Sequence, residues 1–184
     1  MICVQNGNLL PILTLGHSTR PIDTFLGLLT AHGVQLLGDV RTVPKSRHNP
    51  QFEQTALAAS LQASGIEYRH MPALGGLRKP RPDSHNTAWK NANFRGYADY
   101  METPEFEERL ASLLELAAHE RVVVMCAESV PWRCHRSLLA DALLARGADV
   151  RHLMGAGKEK PHSLTSFARV SDGRVRYPGV LDAT

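Results

Sequence analysis

Cys126, Glu128, Cys134, His135 and Arg136 fall within eleven consecutive positions of a 184-residue chain. A cysteine thiolate is a nucleophile and a metal ligand. An imidazole titrates near neutrality and serves as acid or base, and a guanidinium grips an oxyanion through a fixed fork of donors. The run Val122-Val123-Val124-Met125 ahead of this set predicts a buried strand that ends on Cys126. A short loop follows, and a helix is expected to begin within Cys134-His135-Arg136. In open α/β sheets, ligands gather where a strand's carboxyl end meets a helix N-terminus, because free N–H groups and the helix dipole favour an anion or a thiolate there.

Two readings of Cys126 compete. Cysteine phosphatases and rhodaneses place a nucleophilic thiol at such a junction, inside a loop of backbone amides closed by an arginine. Here Arg133 follows Cys126 after six intervening residues, one more than the phosphatase pattern has. The loop 127–132 contains no glycine and carries Glu128, whose charge would repel a phosphate and raise a neighbouring thiol's pKa. Otherwise Cys126 is a small apolar residue filling the strand end. Cys134 is in the same position, reactive in the cleft or packed on its helix. Two cysteines and a histidine suit zinc, but the chain has no short Cys-x-x-Cys pair, so no metal is expected.

The elements that would position this set alternate between strand and helix. Ile12 to Leu15 closes on Gly16, and Pro21 suits a first helical position. Ile22, Phe25, Leu26 and Leu29 follow at helical spacing up to Gly33. Positions 34–40 read as a second strand, and Phe52, Leu57 and Leu61 mark a helix ending before Gly65. Positions 66–71 alternate as a third strand. A long irregular stretch runs from Pro72 to about Tyr97, a length usually reserved for functional or mobile loops. Thr103-Pro104-Glu105 opens the clearest helix, with a cap, a first-position proline and early acid; its apolar stripe is Phe106, Leu110, Leu113, Leu114 and Ala117. Leu138, Leu139, Ala142 and Leu143 mark the next helix. Positions 149–153 form a last short parallel strand, and 168–177 form a hairpin on Asp172-Gly173.

The expected fold is therefore α/β: a mainly parallel sheet with helices on both faces, Rossmann-like and three-layered, plus a C-terminal β-hairpin. It is read as one domain over 1–184, with a core at about 12–153 and an extension at 154–184. In such a sheet the residues after each strand meet at one edge. That edge gathers His17, Ser18 and Arg20 after the first strand, Asp39 and Arg41 with Ser46 and Arg47 after the second, and Gly75 and Gly76 after the third. Cys126 through Arg136 follow the fourth. Asp39 and Arg41, two apart, point the same way and can pair; Glu128 and Arg136 are a second candidate pair. A structural ion-pair network accounts for these charges as well as catalysis does. Gly75-Gly76 permits close backbone approach or a hinge.

Leu15-Gly16-His17-Ser18-Thr19-Arg20, Gly38-Asp39-Val40-Arg41 with Pro44 and Ser46-Arg47, Leu74-Gly75-Gly76, and Cys126-Ala127-Glu128 with Cys134-His135-Arg136 occur in this order. Together they resemble the family catalogued as domain of unknown function 488. The resemblance runs from about Leu13 to His152, and the tail 167–178 also looks like a family ending. It implies a small α/β domain and no particular reaction.

Charge and composition narrow the partners. The net charge is only +3, yet the segment 41–95 holds nine Lys or Arg against three acids, which suits an anionic ligand. Tyr68, Trp89, Phe94, Tyr97 and Tyr100 lie among these bases, a mixture that also serves nucleic-acid stacking. There is no Gly-x-Gly-x-x-Gly fingerprint, so no cofactor is expected. No apolar run approaches the roughly 20 residues of a membrane helix, and three cysteines suit a reducing cytoplasm. The reading that results is an enzyme acting on a phosphate-bearing nucleotide or nucleic acid by hydrolysis or group transfer, its candidate reactive groups His17, Asp39, Cys126, Glu128 and His135. Its rival is a non-catalytic nucleotide- or nucleic-acid-binding module. No membrane partner is expected, and the pattern specifies no oligomeric state.

Overall fold

The computed structural model describes residues 10–154 and 157–179. Cys3 lies outside them. A six-stranded sheet contains β1 (Ile12–Gly16), β2 (Leu36–Asp39), β3 (Glu67–His70), β4 (Val122–Cys126), β5 (Val150–Leu153) and β6 (Glu159–Pro161). The order is β3-β2-β4-β1-β5-β6. All neighbours run parallel except β5 and β6. β4 is central, and Val122 to Cys126 are all buried, as a strand covered on both faces requires. β3 lies at one edge and alternates between exposed and half-buried.

Side-chain alternation divides the core in two. Leu13, Leu15, Leu37, Val123 and Met125 face α1 (Ile22–Ala31) and α2 (Gln54–Ala63). Ile12, Leu36, Val122, Val124 and Cys126 face the other way. They meet α3 (Ala92–Tyr100), α4 (Pro104–His119) and α5 (Arg136–Ala145). In α4, Phe106, Leu110, Leu113 and Ala117 are buried, and burying each of the three larger side chains contributes about 1.5–3 kcal/mol. Thr103 caps α4 by accepting from the Phe106 amide at 3.3 Å, as its sequence predicts. The hairpin forms between β7 (Arg169–Ser171) and β8 (Arg174–Arg176), its turn carried by the positive φ of Asp172 (52°) and Gly173 (73°).

Several expectations are corrected. Pro21 is the extended residue preceding α1, with ψ of 145°, instead of its first helical residue. Phe52 belongs to a separate 3-10 turn, Pro50–Phe52, ahead of α2. The stretch from Pro72 is not irregular throughout, because α3 begins at Ala92 under an Asn91 side-chain cap. Its central Gly96 obscures it in sequence. A Cβ there would lie 2.4 Å from the Arg78 carbonyl oxygen, so tertiary contact with the preceding loop explains the glycine. The extension also contributes to the main sheet, since β6 pairs with β5.

Candidate functional site

β1 and β4 are neighbours, yet the helices that follow them, α1 and α5, cover opposite faces of the sheet. That reversal opens a crevice at the strands' carboxyl ends. A cavity of about 630 Å³ occupies it. His17, Ser18, Arg41, Ser46, Gly76, Cys126, Glu128, Cys134 and His135 all line it. The other expected site residues do not: Arg20, Asp39, Arg47, Gly75 and Arg136 lie outside the lining.

The β1 end is held tightly against the loop after β4. His17 donates its amide to the Cys126 carbonyl and Ser18 donates to Ala127, each at 3.0 Å. A Cβ at Gly16 would lie 1.8 Å from the Glu128 carbonyl oxygen, so only glycine permits this approach. Ser18 then adopts a left-handed φ of 52°, a strained conformation that persists only where its surroundings enforce it. Arg20 donates to the Gly16 carbonyl, which commits its charge to the backbone and away from the cavity.

Asp39 is fully buried and its two carboxylate oxygens are saturated. One accepts from Arg41 Nε at 2.9 Å and from the Arg41 amide at 3.1 Å; the other accepts from Arg41 Nη2 at 2.5 Å and from the Tyr68 hydroxyl at 2.9 Å. The expected Asp39–Arg41 pair is thus formed, and it is bidentate. Arg41 Nη1 reaches on to His17 Nε2 at 3.3 Å. Because arginine only donates, His17 Nε2 is the acceptor and Nδ1 carries the proton given to the Ser18 carbonyl at 2.7 Å. His17 also stacks on Phe52 with centroids 4.2 Å apart. Burial, with Arg41 nearby, holds its pKa below the usual histidine value.

Cys126 and Cys134 are both buried, with Sγ atoms 3.1 Å apart, and the Cys134 thiol donates. That hydrogen bond, aided by the positive charge of Arg136, outweighs burial and lowers the Cys126 thiol to about 7. Cys134 is pushed up by the same contact and by burial. His135 Nδ1 lies 3.4 Å from the Cys134 sulfur. Burial, followed by the charges of Arg136 and Arg78, depresses the His135 pKa to about 4, so the ring is neutral near pH 7. Gly76 packs against this ring: a Cβ would lie 2.3 Å from His135 Nδ1, and one at Gly75 would lie 2.3 Å from Thr42 Oγ1. The glycine pair therefore provides close approach and not a hinge.

Glu128 and Arg136 do not pair through charge. Glu128 turns its carboxylate to the Val130 amide at 3.1 Å and the Ser129 hydroxyl at 3.4 Å. Arg136 Nη2 instead reaches the carbonyls of Glu128 and Ser129, at 3.1 and 3.4 Å. Arg136 is 1% exposed, and its Nε and Nη1 have no hydrogen-bond partner among the described residues. The Cys126 thiol donates to the Glu128 carbonyl at 3.5 Å, and a backbone hydrogen bond from Glu128 helps to lower its pKa.

Sequence reasoning leaves out Lys45, Arg133 and Phe94 as site residues, although all three line the cavity. Lys45 and Arg133 are exposed, and neither forms an ion pair among the described residues. The signal for Lys45 is the basic composition of the loop after β2, whereas Arg133 is the lone cation of the loop after β4. The expected aromatic platform is otherwise consumed by packing. The Tyr97 and Tyr100 hydroxyls donate to the Leu74 and Ala73 carbonyls, and Trp89 packs edge-on against Phe94, Phe167 and Tyr177. Among the described residues, no group of three or more His, Cys, Asp or Glu is placed to hold a metal ion. No described helix is long and apolar enough to cross a membrane.

No curated protein and no solved structure matches the chain. The family model described as "Domain of unknown function DUF488" matches residues 21–143, which include every cavity-lining segment except the β1 end, and the chain belongs to that family.

Proposed function

We propose that the chain is a thiol-dependent enzyme that takes a small anionic, phosphate-bearing ligand and acts on it by hydrolysis or group transfer. The observation that carries this reading is the Cys126 sulfur, which accepts from the Cys134 thiol at 3.1 Å in a cavity that also presents Lys45 and Arg133, exposed and without an ion pair among the described residues. Lys45 and Arg133 neutralise the ligand, and Cys126 is the nucleophile. Asp39 acts through Arg41 and His17 as a positioning residue, since both its oxygens are already occupied. Glu128 shapes the loop through its bond to the Val130 amide. The anion is gripped by these side chains at the rim, and the Cys126 thiolate attacks the adjacent electrophilic centre, its bond to the leaving group breaking as the leaving group takes a proton from solvent.

The test is alkylation of Cys126 by iodoacetamide at neutral pH, with and without inorganic phosphate or a nucleoside monophosphate. Both anions should slow labelling, and the double variant Lys45→Ala/Arg133→Ala should lose that protection. Salt-dependent ligand binding with an inert Cys126 would identify a binding module instead and sink the enzymatic reading.

A further inference from the structure

Cys126 ends β4 and Cys134 lies just before α5, so two separate elements place the thiols face to face. Their sulfurs are 3.1 Å apart, and a disulfide needs them at about 2.05 Å. The closing movement is about 1 Å, within the range of side-chain rotation. Both residues line the cavity, so a small reagent has access to them. Behind them stands Arg136, a buried cation whose Nε and Nη1 have no hydrogen-bond partner, and which forms no ion pair, among the described residues. A cation left in this state is complemented by a thiolate on the neighbouring sulfur. Beside Cys134 is His135, whose Nδ1, 3.4 Å from the Cys134 sulfur, is placed to take the second thiol's proton once Cys126 is tied up in a mixed disulfide.

We propose that Cys126 and Cys134 form a dithiol–disulfide couple that reduces low-molecular-weight disulfides of carboxylate-bearing thiols. This redox activity goes beyond the group-transfer reading and rests on it only in requiring a reactive Cys126. The Cys126 thiolate attacks one sulfur of the incoming disulfide; a new Sγ–S bond forms, the external S–S bond breaks, and the first thiol leaves after protonation by solvent. Cys134 then gives its proton by way of His135 Nδ1 to cavity water and attacks Cys126 Sγ. The second external thiol leaves, also protonated. One external disulfide is reduced to two thiols, and the protein pair is oxidised by two electrons. Exchange with an external dithiol reverses the sequence and restores the pair.

The cavity argues for this substrate class. A volume of about 630 Å³ admits a molecule far larger than a peroxide, and Lys45 and Arg133 at its rim match carboxylates on the substrate. An attacking thiol is most effective when its pKa lies near the ambient pH.

The experiment treats the Cys3→Ser protein with glutathione disulfide and follows intact mass and a non-reducing peptide map. The expected product is a Cys126–Cys134 cross-link with glutathione released. Cys134→Ser should trap one glutathionyl group on Cys126, and Cys126→Ser should leave Cys134 modified roughly tenfold more slowly or not at all. A stable glutathionyl adduct on Cys126 with Cys134 intact and no cross-link would overturn the redox couple while leaving the reactive thiol standing. No modification at either cysteine of the folded protein would overturn both readings. The map on Cys3→Ser alone decides between these outcomes even if a second substitution impairs folding.

Discussion

Two buried polar networks lie on either side of α5, and they are finished to different degrees. At its N-terminal end are the thiols, Arg136 and His135, with Arg136 Nε and Nη1 buried and without a hydrogen-bond partner among the described residues. Farther along, Thr14, His152, His162 and Asp141 form an unbroken chain with spacings of 2.6, 3.0 and 2.8 Å. Asp141 also accepts from the Thr165 amide and the Tyr177 hydroxyl. Because the carboxylate only accepts, His162 Nε2 is the donor to Asp141. The network seals the C-terminal segment to the sheet and opens onto no cavity described above. Buried polar atoms are normally satisfied. The incomplete network borders the cavity through Cys126, Cys134 and His135, whereas the complete one ties the C-terminal segment to the sheet.

The largest effect should come from removing a saturated carboxylate. Asp39→Ala leaves Arg41 buried and unpaired and should destabilise the protein by about 3–5 kcal/mol. Asp141→Ala strands three donors and should destabilise by about 3 kcal/mol. Cys126→Ser, in the unfinished network, should shift stability by only about 1 kcal/mol or less while abolishing thiol reactivity. Urea unfolding together with alkylation rates checks all three. Comparable stability losses at Asp141 and Cys126 would break the distinction.

The pH dependence of Cys126 labelling sharpens the same contrast. The rate should rise with pH and level off above about 7. The groups facing this thiol are Arg136 from α5, Glu128 from the loop, and Cys134 with His135 from the turn. Arg136→Leu removes the nearest cation and should move the midpoint upward by about one pH unit, as a pH–rate profile would reveal. An unmoved midpoint would mean that Arg136 serves the backbone carbonyls alone.

Both networks contribute to acid sensitivity. Burial lowers His135 and His152 from 6.5 to about 4 in the folded state. The unfolded chain therefore binds more protons between these values, and the two rings make stability fall as pH drops from 6.5 toward 4. Urea midpoints across this window test it; a flat profile would contradict the buried neutral rings. The smallest effect is expected at the rim. Lys45→Ala and Arg133→Ala should each change stability by less than about 0.5 kcal/mol, while phosphate protection of Cys126 weakens.

What was legible in the sequence was local or periodic. Thr103-Pro104 with the Phe106, Leu110, Leu113 stripe specified α4 because cap and spacing act within a few residues. Asp39 and Arg41 were legible as a pair because a strand's period of two points them the same way. Parallel topology brings the strand ends to one edge, which is why His17, Arg41, Gly76 and Cys126, far apart in the chain, line one cavity. The α3 helix was hidden because the loop packed against Gly96 supports it, together with Asp99, whose carboxylate takes the Arg81 amide at 2.8 Å and the Ser84 hydroxyl at 2.6 Å.

By itself the sequence determined the alternation of strands and helices, the edge where polar groups converge, and the family. The tertiary structure alone decided the partners. It turned Arg136 from the Glu128 carboxylate to two carbonyls, set Cys134 against Cys126, and joined Thr14, His152, His162 and Asp141 across the chain. Period and propensity act along a segment, whereas a hydrogen bond between distant segments depends on ångström-scale placement that only the packed core supplies.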